Sequence, residues 1–132
     1  MEKLSVVVPC YNEQETVKIF YREVSQVLES MNVEYEILFV NDGSKDNTLS
    51  ELIELYNEHR GIVKVIDFSR NFGKEGGLLA GLDNAQGDLV TVMDADLQDP
   101  PSYLPKMLEV MRTQQVDIVG TRRVNRKGEP PI

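Results

Sequence analysis

LVTVMDADLQDPP, residues 89–101, carries an apolar, β-branched run straight into three carboxylates, Asp94, Asp96 and Asp99, and closes on two prolines. A short apolar run bounded by turn residues suits a strand buried on both faces, the condition of a parallel sheet covered by helices. In an open sheet of that kind the ligand crevice lies outside the carboxyl ends of the strands. The three acidic residues fall at that end.

The flanking sequence repeats the pattern. KLSVVVPCY, residues 3–11, is a β-branched run stopped by Pro9, and residues 15–31 place Val17, Phe20, Val24, Val27, Leu28 and Met31 at the spacing of an amphipathic helix. YEILFV, residues 35–40, predicts a second strand. NDGSKDNT, residues 41–48, is turn chemistry, with Asn47 or Asp46 placed to cap a helix whose apolar stripe is Leu49, Leu52, Ile53 and Leu55 or Tyr56, ended by Gly61. VKVIDF, residues 63–68, predicts a third strand, and SRNFGKEGG leads into a helix over about residues 75–85, closed by Gly87. After a fourth strand at 88–95, a helix starts near Pro101, and VDIVGT, residues 116–121, gives a fifth strand. The alternation predicts a three-layer α/β/α domain over residues 1–121 with a mostly parallel central sheet. Residues 122–132 are basic and polar, end near Pro-Pro and have no periodicity, so they read as a loop or linker.

Composition narrows the functional classes. A hydrophobic content of 41% with 27% charged residues is that of a soluble globular chain, and no apolar stretch approaches the roughly 20 residues that cross a bilayer. The N-terminus lacks the features of a signal peptide, so a cytoplasmic protein is expected. A net charge of −8 argues against a nucleic-acid binder. The single cysteine, Cys10, forms no internal disulfide and reads as a packing residue, and the lone His59 reads as a surface residue near a helix end. A dinucleotide-dependent oxidoreductase is disfavoured because VVVPCYNEQE has no glycine fingerprint.

The strand ends carry the chemistry. Tyr11, Asn12 and Glu13 follow the first strand, Asn41, Asp42 and Gly43 the second, Arg70 and Lys74 the third, Asp94, Asp96, Gln98 and Asp99 the fourth, and Thr121, Arg122 and Arg123 the fifth. Asp94 and Asp96, spaced by Ala95 on a turn, are able to aim oxygens at one hard divalent cation, or one aspartate caps the following helix while the others are solvated. Asp42 with Gly43 suits acceptance from a base N–H with close backbone approach, or a plain Asx turn. Arg70 and Lys74 near a helix start form a phosphate cradle or are solvated surface charges. The basic residues Arg122, Arg123, Arg126 and Lys127 suit a phosphate or an anionic membrane, or simply a solvated loop.

VVVPCYNEQE, FVNDGSKDNT, FSRNFGKEGGLLAGL, VMDADLQDPP and VGTR, in this order and spacing, resemble family 2 glycosyltransferases of the Rossmann-like GT-A fold. Among these the chain is most similar to the polyprenyl-phosphate hexosyltransferases. The resemblance implies metal-assisted, inverting transfer from a UDP- or GDP-sugar to a lipid phosphate, with Mg²⁺ or Mn²⁺ as cofactor. It implies that Pro9, Tyr11, Asn12 and Glu13 form the nucleoside-binding first loop and that Asp42 reads the base. Asp94, Ala95 and Asp96 match the DXD element, Asp94 and Asp96 being its metal ligands, with Gln98 nearby. Arg70 and Lys74 match the basic loop, expected with Asp96 to serve catalysis, and Arg122 matches the arginine ending the fifth strand. Gly76 and Gly77 stand where relatives have alanines, which should loosen that helix start by about 1 kcal/mol per residue. The acceptor half of such enzymes has no counterpart in these residues, so the chain is expected to be the donor-binding part of a longer protein, at the cytoplasmic face of the membrane, with membrane contact through other segments. A face left exposed by missing partner segments would favour self-association. Two alternatives follow from the same residues: a nucleotide-sugar-binding or assembly module without turnover, and an enzyme acting on a protein or saccharide hydroxyl.

Overall fold

The computed structural model of the chain describes residues 2–96, 98, 100–114 and 118–120. The elements run β1 (Lys3–Cys10), α1 (Val17–Ser30), β2 (Glu34–Asp42), α2 (Thr48–Glu58), β3 (Val63–Phe68), α3 (Gly73–Asn84), β4 (Leu89–Val92), a 3-10 turn (Pro101–Tyr103), α4 (Leu104–Gln114) and β5 (Ile118–Gly120). All four strand pairings are parallel, and the order across the sheet is β3-β2-β1-β4-β5. The expected α/β architecture is therefore present, with β1 at the centre. Asp99, residues 115–117 and 121–132, including Arg122 and the basic tail, lie outside the described residues.

Strand alternation divides the core into two layers. Leu4, Val6, Val8, Ile37 and Phe39 point to one face, where they pack with Val17, Phe20, Val24 and Leu28 of α1, Leu52 and Leu55 of α2, and Leu104 and Met111 of α4. Val7, Pro9 and Val40 face the other way and meet α3, whose Gly77 and Gly81 lie directly over them. Glycine lets α3 sit close to the sheet: a methyl at position 81 would overlap Val7. Gly76 and Gly77 do not delay the helix, which begins at Gly73, two residues before the expected start.

Three expectations need correction. The stripe of α2 is narrower than its spacing suggests: Leu52 and Leu55 are buried, but Ile53 and Tyr56 remain 45% and 40% exposed, because α2 covers only the edge of the sheet beside β3. Gly87 does not close α3, which ends at Asn84 with Ala85 as its cap. Instead the Gly87 N–H donates to Ser5 Oγ, tying the turn before β4 to β1. Finally, β4 stops at Val92, and after Met93, whose N–H still donates to Val7 O, the chain turns away, leaving Asp94 and Asp96 on a loop.

One charge is fully inside. Glu36, in the middle of β2, is 0% exposed and accepts from Ser5 Oγ, Lys64 Nζ and the Gln86 N–H, each at 2.6 Å. Burial alone would push its carboxyl up; the Lys64 ammonium, the Ser5 hydroxyl and the Gln86 N–H outweigh burial and hold it below the usual glutamate range.

Candidate functional site

The C-terminal ends of β1, β2 and β4 meet the first turn of α3 around an open cleft of about 180 Å³. Pro9, Cys10, Tyr11 and Glu13 line it from β1, Asp42 from β2, Lys74 from α3, and Asp94, Ala95 and Asp96 from the loop after β4. Parallel strands that share one direction deliver their polar ends to one rim, so residues far apart in sequence become neighbours.

Two loops are locked together to build that rim. The Asn12 N–H donates to Ser44 Oγ, and Asn12 Oδ1 accepts from the Lys45 N–H. The Glu13 N–H donates to Thr48 Oγ1 at 2.8 Å, the Gln14 N–H to Asp46 Oδ2, and Gln14 Oε1 accepts from the Asn47 N–H. Asp46 Oδ1 takes the Thr48 N–H at the start of α2, while Asn47, the N-cap by position, makes no side-chain cap bond. Asn12 turns through φ +54°, a left-handed conformation that asparagine tolerates, to enter this arrangement. NDGSKDNT thus holds the β1 loop in place as well as starting α2.

Asp42 is 5% exposed and its Oδ1 accepts the Phe72 N–H at 2.6 Å, which anchors the entrance of α3. Gly43, at φ +68°, passes so close to the backbone of Arg70 and Asn71 that a Cβ there would overlap both. The close approach expected at this glycine is therefore made to the chain's own β3–α3 loop. Lys74 Nζ lies 2.9 Å from Asp94 Oδ1. Asp96 Oδ1 accepts the Gln98 N–H at 3.1 Å.

The cleft is strongly negative. Burial first, then the charges of Asp96, Asp94 and Asp46, push the Glu13 carboxyl above its usual range against the opposing Thr16 hydroxyl. Burial, then Glu13 and Asp94, pushes the Cys10 thiol well up, which leaves it an inert packing group on the cleft floor. Among the described residues no group of three or more His, Cys, Asp or Glu forms a metal cluster. The oxygen donors of Asp94 and Asp96 fit a hard divalent cation that completes its shell with ligand oxygens and water.

Of the residues singled out in the sequence, Pro9, Tyr11, Glu13, Asp42, Lys74, Asp94, Ala95 and Asp96 come together in the cleft. Asn12, Arg70 and Gln98 do not line it: Asn12 is used in the loop lock, Gln98 is exposed, and the Arg70 guanidinium lies over the Phe72 ring, 4.7 Å from its centroid. Sequence reasoning missed Ser44 and Thr48, whose hydroxyls hold the β1 loop, and the place of Cys10 on the cleft floor. The Ser and Thr of a turn-forming octapeptide were their only signal.

The parallel α/β sheet with helices on both faces matches the GT-A fold of glycosyltransferases among solved structures. The chain belongs to glycosyl transferase family 2, whose sequence model matches residues 5–131. An uncharacterized glycosyltransferase of Synechocystis, sll0501, is 46% identical over 127 residues, which are 96% of this chain and 39% of that protein. The chain therefore spans about two fifths of that curated relative. Among solved structures, the mannosyltransferase PcManGT of Pyrobaculum calidifontis, in complex with GDP-Man and Mn²⁺, superposes with a TM-score of 0.70 at 22% identity, over 83% of this chain and 32% of that one. S. aureus TarS 1-349 in complex with UDP gives 0.63 at 26% identity, over 86% and 33%.

Proposed function

We propose that this chain is the donor-binding domain of a glycosyltransferase that uses a UDP- or GDP-sugar, transfers it with inversion, and delivers it to a polyprenyl phosphate. The observation that carries the reading is the convergence of Asp94, Asp96 and Lys74 with the β1 loop and Asp42 on one cleft. A solved relative at 26% identity whose complex contains UDP supports the donor class. The acceptor class rests on the resemblance of FSRNFGKEGG and DADLQDPP to the polyprenyl-phosphate branch.

Tyr11 and Pro9 would flank the nucleoside, and the second oxygen of Asp42 would accept from its base while Oδ1 keeps the Phe72 N–H. Asp94 and Asp96 would hold Mg²⁺ or Mn²⁺, which when bound supplies charge neutralisation for the departing nucleoside diphosphate. Lys74 would contribute an ammonium to the same phosphates. Arg70, at the entrance of the same helix, would meet the anionic acceptor. An acceptor phosphate is already ionised and needs little general-base help, so the reading requires no catalytic base among the residues of this cleft.

The test is a thermal-shift series with UDP, GDP and their sugars, each with and without Mn²⁺. At a ligand concentration of a hundred times Kd the expected stabilisation is about 2.7 kcal/mol. It should depend on the cation and vanish in Asp96→Ala; a full shift retained in that variant would remove Asp96 from the site. A second reading of the same cleft is donor binding without turnover. Metal-dependent release of nucleoside diphosphate would favour the enzyme, and binding with no release the module.

A further inference from the structure

The walls of the cleft set four carboxylates, Glu13, Asp42, Asp94 and Asp96, against a single lining cation among the described residues, Lys74. Its ion pair with Asp94 is asymmetric. The aspartate side chain is 13% exposed and lies two residues beyond β4, on the loop that leaves it, whereas the lysine side chain is 61% exposed and rooted in the first turn of α3. A lysine ammonium is a compact charge on a flexible stem, with three donors that serve a carboxylate or a phosphate equally well. A divalent ion bound by Asp94 would stand within a few ångströms of that ammonium and repel it, and a diphosphate beside the lysine would compete with Asp94 for it. Nor can a diphosphate enter against four carboxylates unless positive charge comes with it.

We infer that Lys74 is an exchangeable counter-ion: it holds Asp94 in the donor-free cleft, gives way to a divalent cation, and is then taken up by the diphosphate of the incoming nucleotide. The inference rests on the reading of the cleft as a nucleotide-sugar site and adds a coupling between its two ligands. Each ligand removes an obstacle to the other. The cation releases the lysine that the nucleotide needs, and the nucleotide holds that lysine away from Asp94. By linkage, nucleotide must raise cation affinity by the same factor as cation raises nucleotide affinity.

Lysine acylation of the unaltered chain, read residue by residue by mass spectrometry, follows the exchange directly. With Lys45, on the exposed β2–α2 loop, as internal reference, Mg²⁺ alone should raise modification of Lys74, and addition of UDP or GDP with Mg²⁺ should suppress it again. Cation affinity measured by the EPR signal of free Mn²⁺ gives a second readout. Lys74→Gln should bind Mn²⁺ alone about five-fold more tightly, the scale of an ion pair with one exposed partner. The same variant should bind nucleotide in the presence of Mn²⁺ about ten-fold more weakly, as for a lost charge-assisted phosphate contact. Lys74 modification insensitive to Mg²⁺, or unchanged Mn²⁺ affinity in Lys74→Gln, while nucleotide with cation still stabilises the chain, would overturn the exchange and leave the donor site standing. Absence of any response to cation or nucleotide would overturn both.

Discussion

Glu36 shows how far one residue can depend on partners that sequence keeps apart. Its carboxylate has no exposed surface, and its three hydrogen-bond donors stand 31, 28 and 50 positions away. Because its pKa is lowered on folding, its contribution to stability is complete above the ordinary glutamate pKa of about 4.3 and is lost as pH falls through the lower folded value. Glu36→Gln should therefore cost about 1–3 kcal/mol at neutral pH, by weakening bonds to donors that remain in place. In urea melts at decreasing pH the gap between the two proteins should narrow below pH 4; a constant gap would mean that Glu36 enters folding uncharged. At this scale the candidate site was far more legible than the core polar cluster. Asp42, Asp94 and Asp96 announced themselves as carboxylates directly after apolar runs, whereas Ser5, Glu36, Lys64 and Gln86 look like ordinary polar positions until the register Ser5↔Glu36 brings them together.

Among the elements, α3 is the one whose sequence argues most against its own formation, with five glycines at positions 73, 76, 77, 81 and 87 in and just after the helix. The packing resolves the conflict at two of them, and in opposite directions. A Cβ at Gly77 would lie 3.6 Å from Pro9 Cβ and 3.7 Å from Val40 Cγ1, which is ordinary contact. Gly77→Ala should therefore stabilise the fold by about 0.5–1 kcal/mol, the helix-propensity difference. A Cβ at Gly81 would overlap Val7 on the central strand, and the roughly 1–3 kcal/mol of overpacking should exceed that gain. Urea unfolding of the two variants should shift the midpoint up for the first and down for the second; a rise for both would mean that α3 stands further from the sheet. The same contrast marks what periodicity can tell. It located the strands, α1 and α2, because apolar spacing follows burial along one element, whereas α3 and α4 were marked by the loop, glycine and proline residues that bound them. It could not show that α2 covers only the sheet edge, leaving Ile53 and Tyr56 exposed, since that depends on which strand is outermost.

For the whole molecule, the strand order β3-β2-β1-β4-β5 puts the ends of β1, β2 and β4 side by side, but order alone does not fix the shape of the rim. That task falls to the hydrogen bonds between the β1–α1 and β2–α2 loops, and Thr48 is their most buried member, at 0% exposed. Its hydroxyl accepts the Glu13 N–H and donates to Asp46 Oδ1, so one side chain ties a cleft-lining residue to the start of α2. Thr48→Val preserves the shape of the side chain but orphans the Glu13 N–H, a part-buried donor, at a cost of about 1–3 kcal/mol. The penalty should not stay local. Tyr11 and Glu13 lose the strut that presents them, so on the proposed reading nucleotide binding in the presence of Mn²⁺ should weaken, while Mn²⁺ binding at Asp94 and Asp96, on the separate loop after β4, should be nearly unchanged. Isothermal titration of UDP or GDP, alongside Mn²⁺ titration followed by EPR, separates these effects. Equal losses in both would mean that the cleft loosens as one body. A stability loss with intact nucleotide affinity would confine the lock to folding and show that the β1 loop finds its place on the ligand by itself.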